Sequence, residues 1–241
     1  MSKEIIQKAD QVIAKTYKRF PIAIARGSGC TLWDTEGRSY TDFVAGIAVC
    51  NLGHAHPRVS KALSSQAATL FHVSNLYYTV PQVELASWLT ENSFADRVFF
   101  CNSGAEANEA AIKLARKYFK EKGESERYRI ISMEKSFHGR TMATLSATGQ
   151  DKIKKGFEPV LDGFDFVPFN DIDALRDKIS QFTCAVLIEP IQGEGGVCCP
   201  DPGYLKAVRQ ICDETGTLLI FDEIHWNYNL HTSGKQDRNK S

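Results

Sequence analysis

Two rhythms of apolar and polar positions divide the chain. Over residues 2–16 the apolar positions Ile5, Ile6, Ala9, Val12 and Ile13 recur at helical spacing on one side. Short strand-like runs follow at Ile22–Ala25, Thr31–Asp34 and Ser39–Phe43, the last two joined by the turn chemistry of Asp34-Thr-Glu-Gly37. Residues 1–56 are therefore predicted to form a helix and a small antiparallel sheet outside the main domain. From about residue 57 helical stretches alternate with short apolar runs. Helices are predicted at 57–70, 81–92, 104–121, 171–180 and 202–215, and strands at 97–101, 128–132, 164–168, 184–189 and 217–222. Runs such as Cys184-Ala-Val-Leu-Ile188 and Thr217-Leu-Leu-Ile-Phe221 show no polar alternation, so helices cover both faces of their sheet. That pattern predicts an α/β fold with a mainly parallel sheet over residues 57–224. Residues 225–241 keep neither period and end polar, as disordered tails do.

Composition narrows the function. With 43% hydrophobic residues in 241, the chain is able to bury a core. Lys plus Arg equal Asp plus Glu at 29 each, which gives no electrostatic footprint for nucleic acid or an anionic membrane. The seven cysteines form no C-x-x-C pair, so no metal site is expected. Several lie in apolar runs, as thiols do in a reducing cytosol, and Met1-Ser-Lys-Glu4 opens a polar helical pattern without a signal peptide or membrane span. A cytoplasmic location is expected.

Four places carry candidate chemistry. Phe99-Phe-Cys-Asn-Ser103 leads straight into the helical run that starts at Gly104. The first N–H groups of a helix lack intrahelical acceptors and carry the positive end of its dipole, and Gly104 and Ala105 leave room for a phosphate beside the Ser103 hydroxyl. The structural alternative is a serine N-cap with Glu106 completing a capping box. In Lys135-Ser-Phe-His-Gly-Arg-Thr141, Phe137 offers a flat face for an aromatic cofactor, and Arg140 a forked donor for a carboxylate. A loop with a buried Phe anchor and a solvated Arg is the alternative. Glu189-Pro-Ile-Gln-Gly-Glu-Gly-Gly196 ends an apolar strand, where ligands of such sheets gather, and Glu189 and Glu194 could act on substrate or pair with arginines. Its alternative is a glycine-rich turn with solvated acids. Asp222 ends the last strand, and a desolvated carboxylate there needs a cation or donors. A protonated pyridine nitrogen would satisfy it, and that proton makes pyridoxal phosphate an electron sink; capping of the next turn is the alternative. Together the four supply a phosphate cradle, a stacking loop, a Glu-bearing strand end and a pyridinium partner.

These residues resemble the class III (ornithine/acetylornithine type) aminotransferases of the fold-type I group, from about residue 10 to Ile224. The likeness is carried by Gly29-Cys-Thr-Leu-Trp-Asp-Thr-Glu-Gly-Arg-Ser-Tyr-Thr-Asp42, Gly53-His-Ala-His-Pro57, Ser-Gly-Ala-Glu-Ala-Asn-Glu109, Phe137-His-Gly-Arg-Thr141 and the run from Glu189 to Gly196. His72-Val-Ser-Asn-Leu-Tyr-Tyr78 and Phe137 before His138 look most like the acetylornithine branch. The resemblance implies a pyridoxal-phosphate-binding large domain at 57–224, with Ser103, Gly104 and Ala105 on the phosphate, Phe137 on the ring and Asp222 on the pyridine nitrogen. Arg140 would hold the donor's carboxylate, and Glu194 would be the glutamate that lets one pocket take both donor and 2-oxoglutarate. The implied reaction moves the δ-amino group of N-acetylornithine to 2-oxoglutarate in arginine biosynthesis, in a homodimer; ornithine or 4-aminobutyrate are the alternative donors.

After Ile224 the likeness stops. His225 stands where the family has a cofactor-contacting Gln, and that role is not carried over. A one-base shift of the codons for His225-Trp-Asn-Tyr228 can read Thr-Gly, which the family carries at this point, and suggests a frame change after codon 224. Lys235 and Lys240 lack the context of the lysine that would hold the cofactor covalently. The large domain is therefore expected to be incomplete and the chain inactive, and a non-catalytic fragment with weak phosphate or cofactor binding is the reading of another class.

Overall fold

The structure, a computed structural model, describes residues 2–224. The expected tail at 225–241, with His225, Lys235 and Lys240, lies outside the described residues. The chain divides into two compact units, Met1–Val83 and Glu84–Ser241. The boundary expected after residue 56 falls inside the first of them.

In the first unit α1 (Ser2–Val12) precedes β1 (Ile24–Ser28), β2 (Thr31–Asp34) and β3 (Ser39–Thr41), an antiparallel sheet in the order β1-β2-β3. The helix stops at Val12 instead of reaching residue 16. The sheet is organised by one buried carboxylate. Asp34 accepts the N–H groups of Glu36 and Arg38 at 2.9 Å each, the Arg38 guanidinium at 2.7 Å and the Tyr40 hydroxyl at 2.9 Å. Burial alone would push this carboxyl up, but those four bonds together bring it down to about 2.

Next comes α2 (Ala45–Ala48), a turn of left-handed backbone in which Ala45, Gly46, Ile47 and Ala48 have φ of 48°, 65°, 57° and 61°. Each residue with a Cβ held in that region costs about 1–2 kcal/mol. Asp42 anchors it by accepting the N–H groups of Val44 and Ala45 at 2.8 and 3.0 Å, while its other oxygen meets His54 Nε2 at 2.6 Å. Then α3 (Pro57–Thr69) starts with proline at its first position, where no N–H is needed. The following helix, α4 (Val80–Glu91), crosses the unit boundary.

The second unit continues with α5 (Gly104–Glu121), β4 (Arg129–Met133), α6 (Met142–Ala147), α7 (Asp151–Lys154), β5 (Phe164–Val167), α8 (Ile172–Lys178), β6 (Thr183–Ile188), α9 (Tyr204–Thr215) and β7 (Leu218–Phe221). The four strands are parallel in the order β5-β4-β6-β7. All six residues of β6 are buried, as the unbroken apolar run predicts. Ala185 and Leu187 pack with Ile112, Ala115 and Phe119 of α5, whereas Val186 and Ile188 pack with Leu175 of α8 and Val208 and Ile211 of α9. The result is a sheet between two helical layers.

The strand predicted at 97–101 does not form. A strand exists through the ladder it joins, and among the described residues this stretch finds no partner; Phe99 is 72% exposed. The β-propensity of Val98-Phe-Phe100 is local, and the pairing it needs is not.

Among the described residues no helix is long and apolar enough to cross a membrane, and no group of three or more His, Cys, Asp or Glu residues is arranged to hold a metal ion.

Candidate functional site

Three neighbouring strands deliver their following residues to one edge of the sheet. The loop Glu134–Thr141 follows β4, Glu189 follows β6, and Asp222 follows β7. In open parallel sheets this carboxyl edge is where ligands bind. The start of α5 reaches the same place: a Cβ built on Gly139 would lie 2.8 Å from the Ala105 Cβ, and one built on Gly104 would run into the Ile224 side chain.

Asp222 is the centre of the cluster. Its backbone N–H still bonds to the Ile188 carbonyl at 2.9 Å, which fixes it as a continuation of β7. Oδ2 accepts Asn108 Nδ2 at 2.7 Å and meets His138 Nδ1 at 2.8 Å, and Oδ1 accepts the Ile224 N–H at 3.3 Å. Burial pushes this carboxyl up, but the bond and charge of His138, then Asn108, outweigh it and hold Asp222 below the ordinary carboxylate range. It is ionised at neutral pH. An ionised carboxylate only accepts, so His138 Nδ1 carries the proton between them. The other ring nitrogen, Nε2, lies 3.0 Å from the Ser132 hydroxyl, itself 3.1 Å from Ser136 Oγ, which accepts the Gly149 N–H at 3.0 Å. The turn-capping explanation of Asp222 thus holds for one oxygen, and a buried polar network occupies the other.

Sequence reasoning missed Asn108 and His138. Both left a signal. Asn108 shares the stripe Asn108, Ile112, Ala115 and Phe119, the buried face of α5, and a polar residue at the head of an apolar stripe needs a buried partner. It has two, since the same Nδ2 also donates to the His138 carbonyl at 2.9 Å. His138 is buried, whereas Phe137 beside it is half-buried and Arg140 is exposed.

At the start of α5 the Ser103 hydroxyl accepts the Glu106 N–H at 3.2 Å, so the N-cap is real. Glu106 reaches back to the Asn102 N–H, at 2.6 Å, and not to that of Ser103 as a capping box requires. Ser103 is exposed, and Gly104 and Ala105 are half-buried. Their N–H groups precede the first intrahelical bonds, and the serine O–H remains a donor while its oxygen accepts. Arg140 has its guanidinium carbon 5.9 Å from the centre of the Phe137 ring. Glu194 is exposed near the tip of a hairpin closed by the backbone pair Gln192 and Cys198 at 3.0 and 3.1 Å.

Residues 12–226 match the family described as aminotransferase class-III. The chain belongs to that family. An acetylornithine aminotransferase from Synechocystis is 57% identical over 222 residues, covering 89% of this chain and 52% of the relative. An N-acetylornithine aminotransferase structure from Stenotrophomonas maltophilia is 39% identical with a TM-score of 0.75, covering 91% of this chain and 54% of that one. An ornithine aminotransferase structure from Toxoplasma gondii, which shows partial occupancy of PLP at its active site, is 33% identical with a TM-score of 0.90 over 94% of this chain and 54% of that one. The class-III chain thus spans about half the length of the curated relatives it matches, and its fold is that of the fold-type I enzymes.

Class-III aminotransferases use pyridoxal phosphate. The donor set here fits that group: a buried ionised carboxylate at a strand end, helix-start N–H groups beside a hydroxyl, and an aromatic ring on a loop between them.

Proposed function

We propose that this chain is the cofactor-holding portion of an aminotransferase that moves the δ-amino group of N-acetylornithine to 2-oxoglutarate, yielding an aldehyde and glutamate. The observation that carries the reading is the ionised, buried Asp222, fixed by His138 and Asn108 where the Phe137 loop and the start of α5 converge. Asp222 would hold a proton on the pyridine nitrogen, and its Oδ2 partners would stop the carboxylate from turning away. Ser103, Gly104 and Ala105 would bind the phosphate through N–H and O–H donors. Phe137 would stack on the ring, which restricts it to one plane. Once bound, the cofactor supplies an electron sink for the substrate carbon.

Arg140 is exposed and forked, suited to the donor's carboxylate. Glu194, on its own hairpin, would be the glutamate that lets one pocket take both the donor and 2-oxoglutarate. The same reading includes a homodimer, a place in arginine biosynthesis and a cytoplasmic location. Ornithine and 4-aminobutyrate are the competing donors; the sequence relatives favour N-acetylornithine.

Titrating the purified chain with pyridoxal phosphate, followed by absorbance and fluorescence, tests the cofactor site. Binding by the wild type and its loss in Asp222→Ala are expected. Glutamate formation from 2-oxoglutarate with each of the three donors then ranks the substrates. Binding without glutamate formation would mark a non-catalytic cofactor-binding chain, and no binding at all would remove the proposal.

A further inference from the structure

Glu189 is a buried acid with no part in the chemistry above. It is 4% exposed, and its Oε2 accepts the Phe137 N–H at 3.0 Å. The Gly193 N–H also lies near enough to favour its ionised form. Its surroundings are therefore N–H groups from two loops, with His138 and Asp222 nearby, in place of the arginines that the sequence suggested. Those loops meet elsewhere too. Gln192 Nε2 donates to the Glu134 carbonyl at 2.8 Å, and a Cβ built on Gly195 would collide with the Lys135 carbonyl oxygen. One loop carries Phe137 and Arg140, the other Glu194.

We propose that Glu189 is a positioning residue that accepts the Phe137 and Gly193 N–H groups together, so that the stacking loop and the Glu194 loop move as one body. Its functional consequence rests on the cofactor reading above: seating a ring against Phe137 would set the position of Glu194, and so which of the two substrates the pocket accepts. Burial pushes the Glu189 carboxyl above the ordinary glutamate range, only partly countered by the Phe137 N–H and His138. A buried acid is a costly way to fill space, which an apolar residue of similar volume would do more stably. Holding two N–H groups from separate loops is what an apolar residue cannot do.

The test is residue-resolved amide exchange on the full chain, as wild type, Glu189→Gln and Glu189→Ala, each with and without pyridoxal phosphate. Without cofactor, Glu189→Ala is expected to speed exchange at Phe137 and Gly193 about tenfold, roughly the loss of one hydrogen bond each, with α9 unchanged. Glu189→Gln keeps one acceptor oxygen and should leave one of the two amides protected. With cofactor, the wild type should gain protection in both loops, and Glu189→Ala in the Phe137 loop alone. Unchanged exchange at both amides in Glu189→Ala, or equal acceleration across α9, overturns the proposal, as does joint protection of both loops in that variant. If Glu189→Ala does not fold, Glu189→Gln decides: both amides as protected as in the wild type sinks the idea. A wild type that ignores pyridoxal phosphate while Glu189→Ala frees both amides refutes the cofactor reading and supports the clamp.

Discussion

The two units of this chain are held together by different physics. Among the described residues of Met1–Val83, the buried side chains are Ser2, Ala23 and Asp34, and the sheet is ordered around the Asp34 carboxylate, with Arg26 over the Trp33 ring at 3.7 Å. Large apolar side chains there are uncovered: Phe20 is 86% exposed, Phe43 94% and Tyr78 98%. In Glu84–Ser241 two apolar clusters lie on opposite faces of a parallel sheet, and the buried Asn108, His138, Glu189 and Asp222 gather at its carboxyl edge. The first arrangement answers to charge and proton concentration, the second to volume. Apolar area left uncovered in this way is available for association.

The contrast can be broken at its strongest point first. His138→Ala takes a hydrogen-bond donor away from the buried, ionised Asp222, and leaving that charge short of a partner should cost about 3–5 kcal/mol of stability. Urea unfolding followed by exchange over residues 84–224 reads the loss; a change below 1 kcal/mol would mean that solvent or Asn108 alone satisfies Asp222. Next in size is Leu187→Ala, which empties a fully buried position of β6. It should cost about 2–5 kcal/mol and show no dependence on pH.

Asp34 should behave in the opposite way. Its folded pKa is depressed to about 2, so its contribution is complete above the ordinary carboxylate range and is lost as pH falls through that value. Exchange protection across β1–β3 should hold at pH 6 and fall between roughly pH 4 and 2, and Asp34→Asn should lack it at every pH. Protection that survives in Asp34→Asn would show that the sheet does not depend on this carboxylate. The smallest effect is expected at Ser103→Ala, about 1 kcal/mol for a lost N-cap, with weaker binding of pyridoxal phosphate. A stability loss without any change in binding would assign Ser103 to the cap alone.

How far the sequence foretold this depends on whether a signal is local. The β6 and β7 runs, the helix beginning at Gly104 and the three antiparallel strands are written in period and turn chemistry, and they appear within a few residues of expectation. The segment 97–101 has the composition of a strand, but pairing is a property of two segments. For the same reason Asp222 could be picked out as an acid at a strand end, while its partners could not: Asn108 and His138 lie 114 and 84 residues away along the chain. Ser103 could be read as the cap of α5 because motif and element boundary coincide, and Phe137 and Arg140 lie on the loop after β4 where the sequence put them. The Glu189 bridge was not, because two of its three participants are backbone N–H groups, which every sequence has.

The contact between Gly139 and Ala105 sets how much change this site can absorb. Gly139 has φ of 129° and faces Thr144 Oγ1 and the Ala105 Cβ, at 2.7 and 2.8 Å from where a side chain would begin. Tolerance here is counted in single carbon atoms, so a saturation library should return glycine alone at 139. Neutral drift and protein engineering are thereby channelled to the exposed positions Arg140 and Glu194, where, on the proposed function, preference for one amino donor over another would change while the floor beneath stays fixed.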